Sequence, residues 1–315
     1  MPAISASAPG KIILFGEHAV VYGRPAIAVP VSQVQAKAVV VPNPGAPGGD
    51  IQVVAPDIDI SGPLESLPLD NAITLAINLT LEKAGIPKPP AFKVKISSTI
   101  PIAAGMGSGA AVTVALIRAV SAFLGNPLPD NVVNEITFEI EKIYHGTPSG
   151  IDNTVVTYGM PVYFIKGEPI ETFTVKKPFT ILIGDTGVSS PTSFTVGQVR
   201  ESWKAQPDVF DRLFDACGEI AAQARRMIET DDVAALGPLM DENQSLLVDM
   251  SVSSPELENL IATARDAGAL GAKLSGAGGG GNMIALVSPD AAQDIAAALE
   301  SAGAARTILT TVGKT

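Results

Sequence analysis

Cysteine is nearly absent from this chain, with Cys217 the single one among 315 residues. No disulfide can close within the chain, so stability must come from a buried core. Cys217 lies in DRLFDACGEIAAQARRMI, where Leu213, Cys217, Ile220 and Ala224 share a helical face. That placement predicts a buried structural thiol rather than a reactive one. Charge is sparse as well, at 17% of residues, and the formal net charge is −11. No basic stripe is apparent, which argues against a nucleic acid partner. No apolar run reaches the roughly 18 residues that a membrane span requires. The opening MPAISASAPGK has no basic segment leading into an apolar one, so no secretory leader is expected. Internal repeats and low-complexity tails are missing too. Together these absences point to a soluble protein of a reducing cytoplasm, with no membrane partner.

What is present is a globular composition, 46% hydrophobic. A chain of 315 residues exceeds the usual size of one core, so two domains are expected. The segment KGEPIETFTVKKP, residues 166–178, reads as their joint, which gives domains over 1–172 and 173–315. AITLAINLTLEKAG (72–85) and SGAAVTVALIRAVSAFLG (108–125) read as helices, the second apolar nearly all round and buried. FKVKISS (92–98) alternates like a strand. NVVNEITFEIEKIYHG (131–146) aligns Val132, Val133, Ile136, Ile140, Ile143 and Tyr144 on one helical stripe, with Glu141 at its edge. TVVTYGMPVYFI (154–165) reads as strand-rich. Strands FTILIGD, NMIALVS and ARTILTTV follow, with several helices between the first two and one before the last. Strands and helices without steady βαβ alternation predict an α+β fold rather than a doubly wound sheet.

Three constellations carry chemistry. In an acidic chain, the cations near an anionic ligand must be placed locally, and Lys11, His18, Arg24, His145 and Lys273 are the candidates. The first constellation, APGKIILFGEHAVVYGRPAIAVPV (8–31), reads as a hairpin with Glu17 and His18 at its bend. The second is PIAAGMGSGAA. Gly105, Gly107 and Ala110 fit a relaxed dinucleotide pattern, yet STIPIAAG separates the strand from the glycines and no acidic residue ends a second strand at the right distance. There is no Walker lysine either. The physics still favours an anion, because glycines allow close backbone approach and a helix N-terminus offers free N–H groups. The third pairs EKIYHGTPSGIDNTVVTYG (141–159) with KLSGAGGGGNMIALV (273–287). Glu141 and His145 face one side of a helix, and Asp152 follows a rigid turn before an expected strand. Two carboxylates and a histidine could serve a metal and a base; a turn aspartate and a solvated glutamate are the plainer reading. The run GAGGGG, between two apolar strands, suggests close approach to a ligand or another loop.

Taken together, these stretches resemble the GHMP kinases, the superfamily of galactokinase, homoserine kinase, mevalonate kinase and phosphomevalonate kinase. PGKIILFGEHAVVYGRPAIA, PIAAGMGSGAA and KLSGAGGGGNMIAL match its three motifs in order. GEHAVVYG and EKxxHGxPSGID are similar to the mevalonate kinase branch. The resemblance implies an N-terminal domain like the second domain of ribosomal protein S5 and a ferredoxin-like C-terminal domain. It implies ATP and Mg²⁺ as cofactors, mevalonate as substrate, transfer to its C5 hydroxyl, and a homodimer. By matching positions, Asp152 and Lys11 would be catalytic. Pro101, Ala104, Gly105, Met106, Gly107, Ser108, Gly109 and Ala110 would surround the ATP phosphates. Glu141, with Ser108, would hold the metal. Glu17, His18, His145, Thr186, Gly278 and Gly279 would form the acceptor site. The chain departs from the family at Gly109, where the usual loop has a serine whose hydroxyl completes the metal shell. Ser108 or a water would then take that place. Phosphomevalonate kinase and mevalonate 3-kinase are the nearer alternatives, and a dinucleotide-dependent oxidoreductase the more distant one.

Overall fold

The computed structural model describes residues 2–101, 105–145, 148–189 and 192–313, without the side chains at 144, 145, 192 and 193. Two compact units form. One comprises the chain through Gly10 with residues 34–101 and 106–159; the other comprises residues 11–33, Gly105 and residues from 160 onward.

Strands β1 (Ile4–Phe15) and β2 (Ala26–Pro42) each run through both units. In the first unit they are joined by β3 (Ile51–Ala55), β4 (Ile60–Pro63) and β5 (Phe92–Ser98). The C-terminal half of β2 pairs antiparallel with β5, from Ala36 opposite Ser98 to Pro42 opposite Phe92. β5 lies parallel to β3, and β3 antiparallel to β4. Alternation in FKVKISS decides the facing of the sheet. Phe92, Val94 and Ile96 are buried, while Lys93, Lys95 and Ser97 are exposed.

Helices α1 (Ala72–Lys83), α2 (Ser108–Phe123), α3 (Asp130–His145) and α4 (Ile151–Tyr158) complete this unit. Asn71 caps α1, its Oδ1 accepting from the Ile73 N–H at 2.9 Å. The all-round apolar face of α2 is buried as expected, including Val114, Leu116, Ile117 and Val120. On α3 the stripe holds at Val133, Ile136 and Ile140 but runs off the core at Ile143, which is 55% exposed.

The strand expected over 154–165 is mostly a helix. Residues 151–158 form α4, and only Val162–Phe164 extend. The β-branched run Thr154-Val155-Val156-Thr157 favours a strand by propensity, but packing decides otherwise. Gly150 turns the chain at φ 88°, Thr154 Oγ1 donates back to the Gly150 carbonyl at 2.7 Å, and Asn153 Nδ2 donates to Asn134 Oδ1 of α3 at 2.7 Å. Asp152 therefore sits in the first turn of a helix, not ahead of a strand.

The second unit contains β6 (Val162–Phe164), β7 (Glu171–Thr172), β8 (Phe179–Asp185), α5 (Thr192–Ala205), α6 (Pro207–Thr230), α7 (Leu236–Asp249), α8 (Pro255–Asp266), β9 (Gly271–Ser275), β10 (Asn282–Val287), α9 (Ala292–Ser301) and β11 (Arg306–Val312). The start of β2 pairs with β6, and β6 with β7. The other four strands form an antiparallel sheet in the order β11-β8-β10-β9. Strand, helices, two strands, helix, strand in this spatial order is the ferredoxin-like arrangement expected. Its core gathers Phe214, Leu247, Leu257, Leu260, Leu274, Met283, Ile295 and Leu299. Each such side chain contributes about 1.5–3 kcal/mol when fully buried. A backbone contact seats α7 on this sheet: a Cβ on Gly271 would lie 2.1 Å from the Gly237 carbonyl oxygen. Only two glycines can meet this closely.

Cys217 is fully buried in this core, with Asn243 Nδ2 at 3.4 Å from its Sγ. Burial is the main cause that pushes its thiol up to about 12. A raised folded-state value favours the protonated thiol, so this contribution to stability is intact below the ordinary thiol range and is lost as pH rises toward 12. The native protein at pH 8 should leave a disulfide reagent such as DTNB unreacted for hours, while the protein in denaturing urea releases one equivalent at once. Rapid reaction of the native protein would show that Cys217 is accessible.

Candidate active site

The phosphate loop and the carboxylates assemble within the first unit. Gly107 adopts φ 71° and serves as the N-cap of α2. Ser108, Gly109 and Ala110 form the first turn, whose N–H groups have no partner within the helix. Met106 is 1% exposed and anchors the loop from below. A Cβ placed on Gly109 would lie 3.7 Å from Glu141 Oε1, an ordinary contact distance. The glutamate of α3 thus reaches the N-terminus of α2. α4 joins the same cluster, because Arg118 of α2 donates to the Thr157 carbonyl at 2.6 Å while pairing with Asp130 at 2.7 Å. The result is a three-helix unit that carries the glycine turn, Glu141 and Asp152. Pro101 precedes the loop, and Gly105 has φ 68°. Ala104 and the side chain of His145 lie outside the described residues.

The second unit contains the other candidates. The bend predicted at Glu17 and His18 exists, but it is buried, at 1% and 5% exposure, and leads into a 3-10 turn over Ala19–Tyr22. A hairpin bend of this composition normally faces water. Here a second chain segment covers it. Glu17 Oε1 accepts from Lys273 Nζ of β9, and the pair is wholly inaccessible. Burial raises the Glu17 carboxyl, and the Lys273 ammonium pulls it back. Burial likewise lowers Lys273, opposed by Glu17. His18 has φ 59°, a conformation that costs a residue with a Cβ of order 1–3 kcal/mol. Its Nε2 lies 2.9 Å from the Ala277 carbonyl. A carbonyl can only accept, so Nε2 carries the proton and Nδ1 remains an acceptor. Burial lowers the imidazole further, which keeps it neutral.

The glycine run wraps this bend from the other side. Gly276, Gly278, Gly279, Gly280 and Gly281 all have positive φ. A Cβ on Gly278 would sit 2.0 Å from the Val252 carbonyl oxygen, and one on Gly280 2.5 Å from that of Val188. Gly279 N–H donates to Val252 at 2.8 Å, and Gly281 N–H to Val188 at 2.9 Å. Thr186 Oγ1 donates to the Gly281 carbonyl at 2.9 Å and accepts from the Val188 N–H at 3.2 Å. Its hydroxyl therefore braces the glycine loop. Lys11 is buried in β1, also in this unit.

Among the described residues, no group of three histidine, cysteine, aspartate or glutamate side chains gathers as a metal cluster. The oxygen-bearing side chains at the head of α2 are the Glu141 carboxylate and the hydroxyl of Ser108. Hard oxygen donors of this kind fit Mg²⁺, which keeps several waters.

The model described as the GHMP kinases N terminal domain matches residues 71–160, and that of the GHMP kinases C terminal matches residues 221–305. Mevalonate kinases of Thermococcus sibiricus and Pyrococcus horikoshii are 38% and 37% identical to the chain, covering 95% of it and 93% of their own length. The chain belongs to the GHMP kinases, in the mevalonate kinase branch. Solved structures of this branch agree. Mevalonate kinase of L. major in complex with R-mevalonate has a TM-score of 0.85 at 32% identity, covering 99% of this chain and 96% of that one. The Methanococcus jannaschii mevalonate kinase has a TM-score of 0.86 at 26% identity, covering 100% and 99%. A phosphomevalonate kinase of Streptococcus pneumoniae, 17% identical at TM-score 0.77, shares the fold.

Two features escaped the sequence reading of this GHMP kinase. Lys273 stood out only as a cation, though a lysine between Ala272 and Leu274 in an apolar strand is itself a sign of a buried partner. The Gly237–Gly271 contact leaves no local sequence signal. For the glycine loop, Gly278→Ala should cost about 1–3 kcal/mol of stability and displace the loop from Val252. Urea unfolding checks this, and a variant as stable as the parent would show that the contact yields easily.

Proposed function

We propose that this chain transfers the γ-phosphoryl group of ATP to the C5 hydroxyl of mevalonate. The observation that carries the reading is the three-helix unit, in which Glu141 reaches the glycine-capped N-terminus of α2 and Asp152 lies in the first turn of α4, in a chain 38% identical to a mevalonate kinase. Phosphoryl transfer asks chiefly for positioning and charge stabilisation, and a pre-set helix terminus with two carboxylates supplies both.

In this reading the first-turn N–H groups of α2 take phosphate oxygens, helped by the helix dipole. Glu141 holds Mg²⁺ through a hard carboxylate oxygen, with Ser108 or water beside it; the ion when bound offsets phosphate charge. Asp152 accepts or orients the proton of the attacking hydroxyl. Lys11 stabilises the negative charge that develops in transfer. His18, neutral with Nε2–H engaged, presents Nδ1 as an acceptor for a hydroxyl of the acceptor molecule. Pro101, Gly105 and Ala104 belong to the phosphate-binding segment, and His145, Gly278 and Gly279 to the acceptor site. Thr186 supports that site through the glycine loop. The same reading extends to a cytoplasmic homodimer.

A coupled ADP-release assay with mevalonate, phosphomevalonate, homoserine and galactose in parallel tests the assignment. Mevalonate should be the turned-over substrate, and product regiochemistry should be 5-phospho. No turnover of mevalonate at millimolar concentration overturns the reading. Asp152→Asn should lower kcat by about 10²–10⁴ with ATP affinity kept. A variant of near-normal kcat would remove Asp152 from its role.

The metal shell gives a separate expectation. A serine at position 109 fits without a clash, since its Cβ would stand 3.7 Å from Glu141 Oε1. Gly109→Ser should lower the Mg²⁺ concentration for half-maximal rate, and Ser108→Ala should raise it. Identical Mg²⁺ titrations for both variants and the parent would show that neither position meets the ion.

A further inference from the structure

Lys273 has no role in the chemistry above, yet it is the best-buried charge in the protein. Its side chain is 0% exposed. Its Nζ donates to Glu17 Oε1 and, at 2.6 Å, to the Leu274 carbonyl, and it stands 6.0 Å over the Phe15 ring. A fully enclosed ammonium is closed to a phosphate arriving from solvent, so Lys273 is not an anion-binding residue.

Its partner Glu17 explains what the ammonium does. Glu17 sits one residue ahead of His18, in a bend that the chain adopts against local preference. Gly16 has φ 92°, and a Cβ there would meet the Pro25 carbonyl oxygen at 2.4 Å. His18 follows at φ 59°. Such a bend persists only where surrounding contacts over-determine it. Within the bend, Ala19 N–H donates to the Glu17 carbonyl at 2.6 Å and Val20 N–H to that of Gly16 at 3.2 Å, and three side-chain ties reach it from a distant segment. Lys273 holds Glu17, and the Ala277 carbonyl holds His18 Nε2. Ser275 Oγ adds a third tie, donating to the Ile13 carbonyl of β1 at 2.7 Å. All three anchors come from the five residues 273–277. Glu17 Oε2 has no hydrogen-bond partner among the described residues. The carboxylate is thus compensated chiefly by Lys273.

We propose that Lys273 is a positioning residue for the phosphoryl acceptor: by gripping Glu17 it locks the strained bend that aims His18, and so sets acceptor affinity. The proposal rests on the mevalonate kinase reading for the identity of the acceptor, but not for the geometry of the lock. A buried ion pair is commonly replaceable by neutral groups without loss of stability, so its use here points to position rather than strength. Residues Met106–Ala110 of the phosphate loop take no part in the lock, so nucleotide affinity is expected to be independent of it.

The test pairs two variants with two readouts. Lys273→Met alone leaves a carboxylate buried without its cation and should be poorly stable. Glu17→Gln combined with Lys273→Met removes both charges and should recover the thermal stability of the parent. In this double variant, KM for mevalonate should rise about tenfold while KM for ATP stays within about twofold, the split expected of lost acceptor positioning. Imidazole NMR supplies the second readout. The chain has two histidines, so the His18 resonances are assignable by substituting the other. In the parent, His18 should titrate below the ordinary range because it is buried. In the double variant, loss of the Lys273 charge alone raises it slightly, whereas a loosened bend, by ending the burial, should return it fully to about 6.5. A double variant with the mevalonate KM and His18 titration of the parent overturns the proposal. Should the parent fail to phosphorylate mevalonate, the functional reading falls. The His18 titration then decides the lock alone: a full return to about 6.5 supports it, and a value still held below that range overturns it.

Discussion

The buried contact between Glu17 and Lys273 spans 256 residues of sequence and is the constraint on which the second unit's candidate site depends. Two opposite charges are removed from water, which costs several kcal/mol per ion unless geometry and further hydrogen bonds offset it. That cost is tolerated at a place where the backbone is itself strained, at Gly16 and His18. Strain and buried charge would each be a liability alone. Together they form a bend with one admissible shape, because relaxing the backbone would separate the ions. The glycine run extends the same logic. Its glycines adopt positive φ, and two of them face carbonyls at distances no side chain could occupy. A loop so constrained is stiff despite its composition, and Thr186 stiffens it further.

Much of this was legible in the sequence, and the parts that were share a physical character. Period-two alternation in FKVKISS and the uniform apolarity of α2 are local signals, and both elements form as written. The glycine turn before α2 was legible as a turn into a buried helix, and its family came only from motifs at residues 8–31 and 273–287 read with it. The failures are non-local. α4 reads as a strand because Val155, Val156 and two threonines dominate the local preference, whereas the Asn153–Asn134 bond and the left-handed Gly150 determine the outcome. The hairpin bend at Glu17 was legible but its burial was not, because nothing nearby in sequence announces the lysine that covers it. The ferredoxin-like strand order was likewise beyond periodicity, which finds strands but not their neighbours.

The departure at Gly109 shows how a motif change is absorbed. In a first turn, the residue at this position contributes its N–H whatever its side chain, so the anion-binding part of the loop is unaffected by the loss of a hydroxyl. What changes is only the side chain facing Glu141, whose Oε1 would stand 3.7 Å from a Cβ at this position.

Charge economy ties these observations together. The chain carries a net charge of −11, and four of its eight arginines are committed to internal pairs: Arg24 with Asp211 and Asp215, Arg118 with Asp130, Arg225 with Glu171, Arg265 with Asp241. Lys273 is committed to Glu17. A protein organised in this way cannot attract a polyanion with a broad positive surface. It can still bind one at a point, because a helix N-terminus offers a fixed cluster of N–H dipoles without adding formal charge. That is why three positions around the start of α2 are glycine and why the loop resembled a dinucleotide site on first reading: both solve the same electrostatic problem with backbone alone. The difference lies in what stands beside the helix. A dinucleotide site needs an acidic group at the end of a neighbouring strand to hold a ribose. Here the carboxylates come instead from the adjoining helices α3 and α4, which carry Glu141 and Asp152.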